Sequence, residues 1–170
     1  MAESVRSCGT CTKCCEGYLR GGKELELTDG RKFLLGPKPC PFIILNNGCT
    51  EYDKRPQEPC RGFECEWLRQ PDVYPEEMRP DKINAIFSLQ EVDGIPYLRI
   101  TEAGARLDAQ VLSHAIKITL YNKFNVYWEV EGNIHWFGNK DFVTVMNKYK
   151  KEIGNLYCSL IRNNINFNIF

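Results

Sequence analysis

Residues 8–15 read CGTCTKCC, which places Cys8, Cys11, Cys14 and Cys15 in one CxxCxxCC run. Four more cysteines follow within the next 50 residues: Cys40, Cys49, Cys60 and Cys65. Eight thiols so close in sequence could supply two four-thiolate sites or one polynuclear cluster with spare ligands. We therefore predict that these eight cysteines are metal ligands.

The length and composition allow one ordinary domain, or a small cysteine-rich module fused to a modest α+β unit. The chain has 170 residues, of which 43% are hydrophobic and 12% aromatic. This content is enough for a packed core, and the charged fraction of 26% is normal for a soluble protein surface. We expect a folded, soluble protein.

The charge balance gives no strong signal for nucleic-acid binding, since Lys plus Arg and Asp plus Glu both total 22. The first ten residues, MAESVRSCGT, lack the apolar core of a signal peptide. No stretch approaches the roughly 20 apolar residues that span a bilayer, so we predict no membrane association and a cytoplasmic location. Cytosolic thiols are kept reduced, which favours metal binding over disulfide bonds.

Residue composition divides the chain into two predicted units of an α+β protein. Residues 1–69 are rich in Gly, Pro and Cys and predict a loop-rich, metal-stabilised cysteine module. Residues 70–80 contain three prolines and predict a Pro-rich connection. Residues 81–170 predict a small α+β unit packed against the module.

Hydrophobic periodicity predicts a β-β-α-β-β-α order for the second unit. The predicted strands are residues 83–90, 95–101, 126–130 and 134–137, and the predicted helices are residues 108–122 and 141–151. Asp93-Gly94 between the first two strands is a good hairpin signal. Asn139 is a suitable N-cap for the second helix.

The spacing of the first three cysteines leaves both zinc and an iron–sulfur cluster open, with a slight preference for the cluster. Bacterial ferredoxins combine CxxCxxC with a remote cysteine that precedes proline, and Cys40-Pro41 supplies such a step. Structural zinc sites more often combine two CxxC pairs, although zinc tolerates irregular spacing. Reduced copper is chemically acceptable, whereas soft thiolates do not suit magnesium or calcium.

Two arginines lie beside the later cysteines in sequence. A four-thiolate zinc centre carries about two net negative charges, so a nearby guanidinium that donates N–H to sulfur would offset them. We predict that Arg55 and Arg61 donate N–H to the metal-bound sulfurs in this way. The alternative is that both arginines form surface salt bridges with residues such as Asp53 or Glu58.

The cysteine pattern resembles a known family on a longer motif. After CxxCxxCC and Cys40-Pro41, residues 48–68 follow GCxxYxxRPxxxCRxFxCxWL. Together these features resemble the CxxCxxCC family described as zinc- or iron-chelating domains, over about residues 8–68. The resemblance implies a thiolate-bound zinc or iron centre, while the biochemical function of that family is mostly unknown.

That family is in turn similar to the cysteine-rich part of flagellin lysine methylases, which implies methyl transfer from S-adenosylmethionine. In this chain the second unit has no glycine-rich strand-to-helix turn followed by an acidic partner for a ribose. The segment Thr101-Glu102-Ala103-Gly104 has one glycine and no such context. The methylase activity is therefore not carried over to this sequence.

The remaining candidate residues do not predict a catalytic site. His114 falls on a predicted helix face, His135 falls in a predicted strand, and Cys158 is most simply a small buried hydrophobe. We predict a metal-binding protein whose centre organises the module for binding a protein partner or a substrate. The alternatives are an iron–sulfur redox or methyl-transfer enzyme, and a metal delivery or storage protein; whether the chain is an enzyme stays open.

Overall fold

The computed structural model describes residues 6–19, 23–36, 38–130 and 133–162. Its strands are β1 (Lys23–Glu26), β2 (Lys32–Leu35), β3 (Ile43–Ile44), β4 (Gly48–Cys49), β5 (Ala85–Val92), β6 (Ile95–Glu102), β7 (Asn125–Val130) and β8 (Asn133–Phe137). Its α-helices are α1 (Glu66–Arg69), α2 (Pro80–Ile83), α3 (Ala109–Tyr121) and α4 (Lys140–Arg162). The predicted mixed α+β class is confirmed.

The cysteine-rich part contains two small antiparallel hairpins in place of a continuous sheet. β1 pairs with β2, and β3 pairs separately with β4. A small core lies between them, built from Leu25, Leu27, Phe33 and Cys40. The ring of Phe33 meets Phe42 edge-on at a centroid distance of 5.2 Å. So few apolar side chains provide little burial energy for the loops around them.

The second part is built on a four-stranded sheet in the order β5-β6-β7-β8. β5 and β6 form an antiparallel hairpin whose turn places Asp93 and Gly94 at φ values of 49° and 77°. Positive φ at both central residues is typical of the tight hairpin turn that Asp-Gly favours. β6 and β7 are parallel and are joined through α3, while β7 and β8 are antiparallel.

Helix α3 packs on one face of this sheet. The Asp108 carboxylate accepts hydrogen bonds from the backbone N–H groups of Gln110 and Val111, at 2.7 and 3.3 Å, and so caps the helix. Ala115 of α3 is fully buried in the main core with the strand residues Leu98 and Val126. Leu98 and Val126 are register partners on β6 and β7, so they share the face that α3 covers.

Helix α4 packs on the opposite face, since Phe142 lies against Tyr97, the neighbour of Leu98, with ring centroids 5.4 Å apart. The Asn139 side chain accepts from the Phe142 N–H at 2.9 Å, so the predicted N-cap is confirmed. Buried Asn125 donates to the Pro96 carbonyl and accepts from the Asn139 N–H. Within the described part of the chain, neither α4 nor another helix is long and apolar enough to cross a membrane.

The segment after Cys65 joins the two parts through a shared core. Trp67 of α1, Tyr74 and Met78 are buried with Phe87 of the sheet. The rings of Tyr74 and Phe87 lie 5.4 Å apart. The Pro-rich connection is therefore packed along much of its length, while the predicted domain boundaries stay a prediction.

Replacing Phe87 with alanine should lower the free energy of unfolding by about 3 to 5 kcal/mol, because the side chain is 1% exposed and its loss leaves a cavity. Tyr121→Ala is the control, since Tyr121 is 89% exposed and its removal should change stability by about 0.5 kcal/mol or less. Chemical denaturation measures both. Equal losses in the two variants would contradict the described core.

Candidate metal centre

The CxxCxxCC run forms a compact series of turns. The Cys11 N–H donates to the Cys8 carbonyl at 2.9 Å, and the Cys15 N–H donates to the Thr12 carbonyl at 2.8 Å. The second turn is a 3₁₀ helix over Lys13–Cys15. This tight path keeps the four thiols of the run near one another while turning their side chains in different directions.

The two hairpins bring three later cysteines to the end of this run. The Cys40 N–H donates to the Cys15 carbonyl at 2.8 Å, which fixes these two residues side by side. Cys49 pairs with Ile43 across the second hairpin, and Cys60 lies against the same small core as Cys15. Cys15, Cys40, Cys49 and Cys60 are named here the hairpin-side set.

The other four cysteines gather beside the main core. The side chains of Cys14 and Cys65 lie close together, and their interaction raises the pKa of the Cys14 thiol and lowers the pKa of the Cys65 thiol. Cys65 is buried in the main core, and Cys14 packs against that core. Cys8 and Cys11 are both close enough to Cys65 for its charge to raise the pKa of their thiols, although burial is the larger cause. Cys8, Cys11, Cys14 and Cys65 are named the core-side set.

Acidity differs among the thiols, because the pKa of Cys65 is lowered whereas the pKa values of Cys14 and Cys15 are raised. The interaction with Cys14 is the main cause that lowers the pKa of Cys65 to about 7. Burial, followed by the neighbouring Cys40, Cys60 and Cys49, raises the pKa of Cys15 to about 12. Burial also raises the pKa of Cys40 and Cys60. Several thiols packed together resist ionisation unless a positive charge is supplied among them.

Arg55 is a cation whose charge reaches a cysteine of each set. Its guanidinium stacks over the Tyr52 ring, 3.4 Å from the centroid, and donates to the Tyr52 carbonyl at 2.8 Å and the Cys60 carbonyl at 3.5 Å. Burial raises the pKa of Cys8 and of Cys60, and the charge of Arg55 opposes that rise in both thiols. Arg55 therefore acts on one cysteine of each set.

Arg61 supports Arg55. Its guanidinium donates to the backbone carbonyl of Arg55 at 3.0 Å and to the carbonyl of Asp53. The described hydrogen bonds of Arg55 and Arg61 therefore go to backbone carbonyls. The sequence suggested two other roles, which were N–H donation to sulfur and ion pairs with carboxylates. The predicted donation of N–H from the two arginines to metal-bound sulfur stays a prediction.

Two arginines outside the predicted site hold the cysteine-rich loops against the second part. Arg6 donates to the carbonyls of Trp67, Tyr74 and Pro71 at 2.7, 2.6 and 3.2 Å, and its guanidinium lies 4.7 Å from the centre of the Trp67 ring. Arg79 pairs with Asp81 at 2.7 Å and reaches Thr10 at 3.4 Å. Sequence reasoning missed both because neither lies in a recognisable motif.

The later cysteine beside Cys14 is Cys65, whereas the ferredoxin-like spacing suggested Cys40. That spacing suggested Cys40, which precedes proline, as the remote fourth ligand. The structure instead places Cys65 beside Cys14 and places Cys40 beside Cys15. The reason is that Cys65 directly precedes α1, whose Trp67 is buried in the main core.

The chemistry of the donor set suits a soft metal. All eight cysteines of the two sets have free thiols, and Cys40 and Cys65 are buried. In the described ranges, however, no group of three or more His, Cys, Asp or Glu side chains is arranged as a metal ion requires. Because a cysteine sulfur moves by rotation about one torsion, χ1, small side-chain rotations can change how the thiols converge.

The other candidate residues lie in the second part of the chain. His114 is exposed on α3. His135 of β8 stacks on Trp128 with ring centroids 5.3 Å apart and an interplanar angle of 16°. Cys158 belongs to α4, but its side chain lies outside the described residues.

We compared the chain with protein-family models, with curated proteins and with solved structures, and none of them matches it. The resemblance to the CxxCxxCC family therefore stays a prediction based on the motif in residues 8–68.

The stability of the metal-free chain should fall as the pH rises from about 9 to 12. The pKa of Cys15 is raised from 9.0 to about 12 in the folded state, so over this range the unfolded chain releases a proton that the folded chain keeps. The contribution of this thiol is complete below pH 9 and is lost as the pH passes 12. Denaturant unfolding at several pH values should show a flatter decline for Cys15→Ser, and identical slopes would contradict the assigned environment.

Proposed function

We propose that this protein binds a metal through the thiolates of its cysteine-rich part, as zinc or as an iron–sulfur centre, and that the centre organises a surface for a protein partner. The observation that carries the proposal is the gathering of eight free thiols into two neighbouring sets. The ligands would be Cys8, Cys11, Cys14, Cys15, Cys40, Cys49, Cys60 and Cys65.

A metal would remove the electrostatic problem that the thiols create. Crowding and burial raise the pKa of Cys14 and Cys15, so the metal-free chain holds these groups as neutral thiols. A divalent cation favours the thiolate form and binds with release of protons. When bound, the metal would supply cross-links between loops, while Arg55 would offset part of the negative charge of the thiolate centre.

The small core of the hairpins supports a structural role for the centre. Leu25, Leu27 and Phe33 are the buried apolar side chains that accompany Cys40 there. Such a cluster is small for the number of loop residues around it, and metal coordination commonly stabilises domains of this kind. In that case, the binding energy of the metal is also folding energy for the hairpins.

Exposed apolar side chains on the same hairpins support partner binding. Leu34 is 55% exposed, Ile44 is 52% exposed and Leu45 is 61% exposed. Isolated exposed apolar residues are ordinary, but these three lie on the two hairpins that the metal would hold in place. Loss of metal would therefore destabilise the surface that carries them.

Several finer predictions belong to the same proposal. Free thiols fit a reducing compartment, which is consistent with the cytoplasm. The second part would act as the small β-β-α-β-β-α unit against which the module packs. The relation to the zinc- or iron-chelating CxxCxxCC family is likewise proposed from the motif alone.

Metal content of protein purified without oxygen tests this function. Cys11→Ser and Cys60→Ser should each lower the bound metal, because each removes a ligand, whereas Cys158→Ser should retain the full amount. Chelation of the wild type should destabilise the cysteine-rich part and so speed its hydrogen exchange, since structural zinc supplies roughly 10 to 16 kcal/mol in small peptides. Protein without metal, or a chelated chain with unchanged hydrogen exchange, would contradict the proposal.

The colour and spectrum of the same preparation separate zinc from iron. An iron–sulfur centre gives visible absorption and a Mössbauer signal, whereas a zinc centre is colourless.

A further inference from the structure

We propose that the eight thiols form two separate four-thiolate centres, one made by the core-side set and one by the hairpin-side set. This inference rests on the proposed function and specifies its site. The first centre would use Cys8, Cys11, Cys14 and Cys65, and the second would use Cys15, Cys40, Cys49 and Cys60.

The adjacent residues Cys14 and Cys15 direct their side chains differently. Cys14 and Cys15 both belong to the 3₁₀ helix Lys13–Cys15. Successive residues of a 3₁₀ helix are turned by about 120° around its axis, because it has three residues per turn. The two thiols therefore leave the helix in different directions, which suits ligands of two centres better than ligands of one.

Cys14 and Cys15 pack against different cores. Cys14 packs against the main core, which contains Cys65, Trp67 and the sheet residues. Cys15 packs against the small core of the hairpins, which contains Cys40 and has Cys60 at its edge. Each set thus has its own apolar surroundings, and the Cys14–Cys15 peptide bond joins them.

Each set contains four cysteines, the number that one metal site needs. A structural tetrahedral site takes four ligands, and each set provides four sulfurs with no cysteine left over. The contact between Cys14 and Cys65 lies within the core-side set, and the Cys40–Cys15 backbone hydrogen bond lies within the hairpin-side set. The two sets are neighbours, since Cys15 also lies near Cys8 and Cys14.

The two centres would have different tasks in the fold. The core-side centre would fasten the first loop to the residue that precedes α1, and α1 packs on β5. The hairpin-side centre would close the two hairpins and the 57–61 turn around a small core. Arg55, which contacts the Cys60 carbonyl and whose charge reaches Cys8, would offset negative charge at both.

Paired substitutions in the full chain test this division, because the three paired variants each lose two cysteines and differ only in which sets those cysteines belong to. Cys11→Ser with Cys65→Ser should remove one centre and keep the other, and so should Cys40→Ser with Cys60→Ser. Cys11→Ser with Cys60→Ser should remove both. Native mass spectrometry of protein prepared without oxygen gives the retained metal, with Cys158→Ser as the control that keeps both centres.

The outcomes separate this inference from the proposed function. Wild-type protein without any metal would overturn both. If the wild type binds metal, two results would overturn only the two-centre division. In the first, a variant with both substitutions in one set loses all of its metal. In the second, the variant Cys11→Ser with Cys60→Ser loses no more metal than the other two paired variants.

A measurement on the wild type keeps the test valid if a variant fails to fold. Cadmium-113 substituted into the wild-type chain should give two resonances of four-sulfur sites with no coupling between the two metals. Cadmium–cadmium coupling through a bridging sulfur would overturn the division and show one polynuclear cluster.

Discussion

The contact between Cys14 and Cys65 links the CxxCxxCC run to the segment that packs on the sheet. Cys14 ends the CxxCxxC triplet, and Cys65 directly precedes the short helix that carries Trp67 into the main core. The geometry of the cysteine-rich loops therefore depends on a residue that the sheet holds in place. Arg6 strengthens the same junction, because its guanidinium binds three carbonyls between Trp67 and Tyr74.

The remaining thiols depend on this junction through the chain itself. Once Cys14 faces the main core, the 3₁₀ turn directs Cys15 towards the hairpins, where Cys40 is bonded to its carbonyl. The hairpins have few buried apolar side chains, so the packing of apolar groups alone gives them limited stability. A metal held by the hairpin-side set would supply the missing stabilisation in proportion to its binding energy.

Sequence reasoning recovered the features that short-range chemistry determines. The Asp93-Gly94 turn and the Asn139 cap follow from local backbone preferences, and the structure contains both. The parallel pairing of β6 with β7 was not visible, because it joins strands separated by the whole of α3. The grouping of Cys65 with Cys14 was equally hidden, since a thiol's partners depend on where distant segments pack.

We propose that cysteine sulfurs surround a metal, and X-ray absorption at the edge of the bound metal measures its neighbours. For zinc, we expect about four sulfur neighbours at about 2.3 Å from the metal. An iron centre should likewise show a first shell made of sulfur. A first shell of nitrogen or oxygen at about 2.0 to 2.1 Å would contradict the account, because the eight cysteines would then not be the ligands.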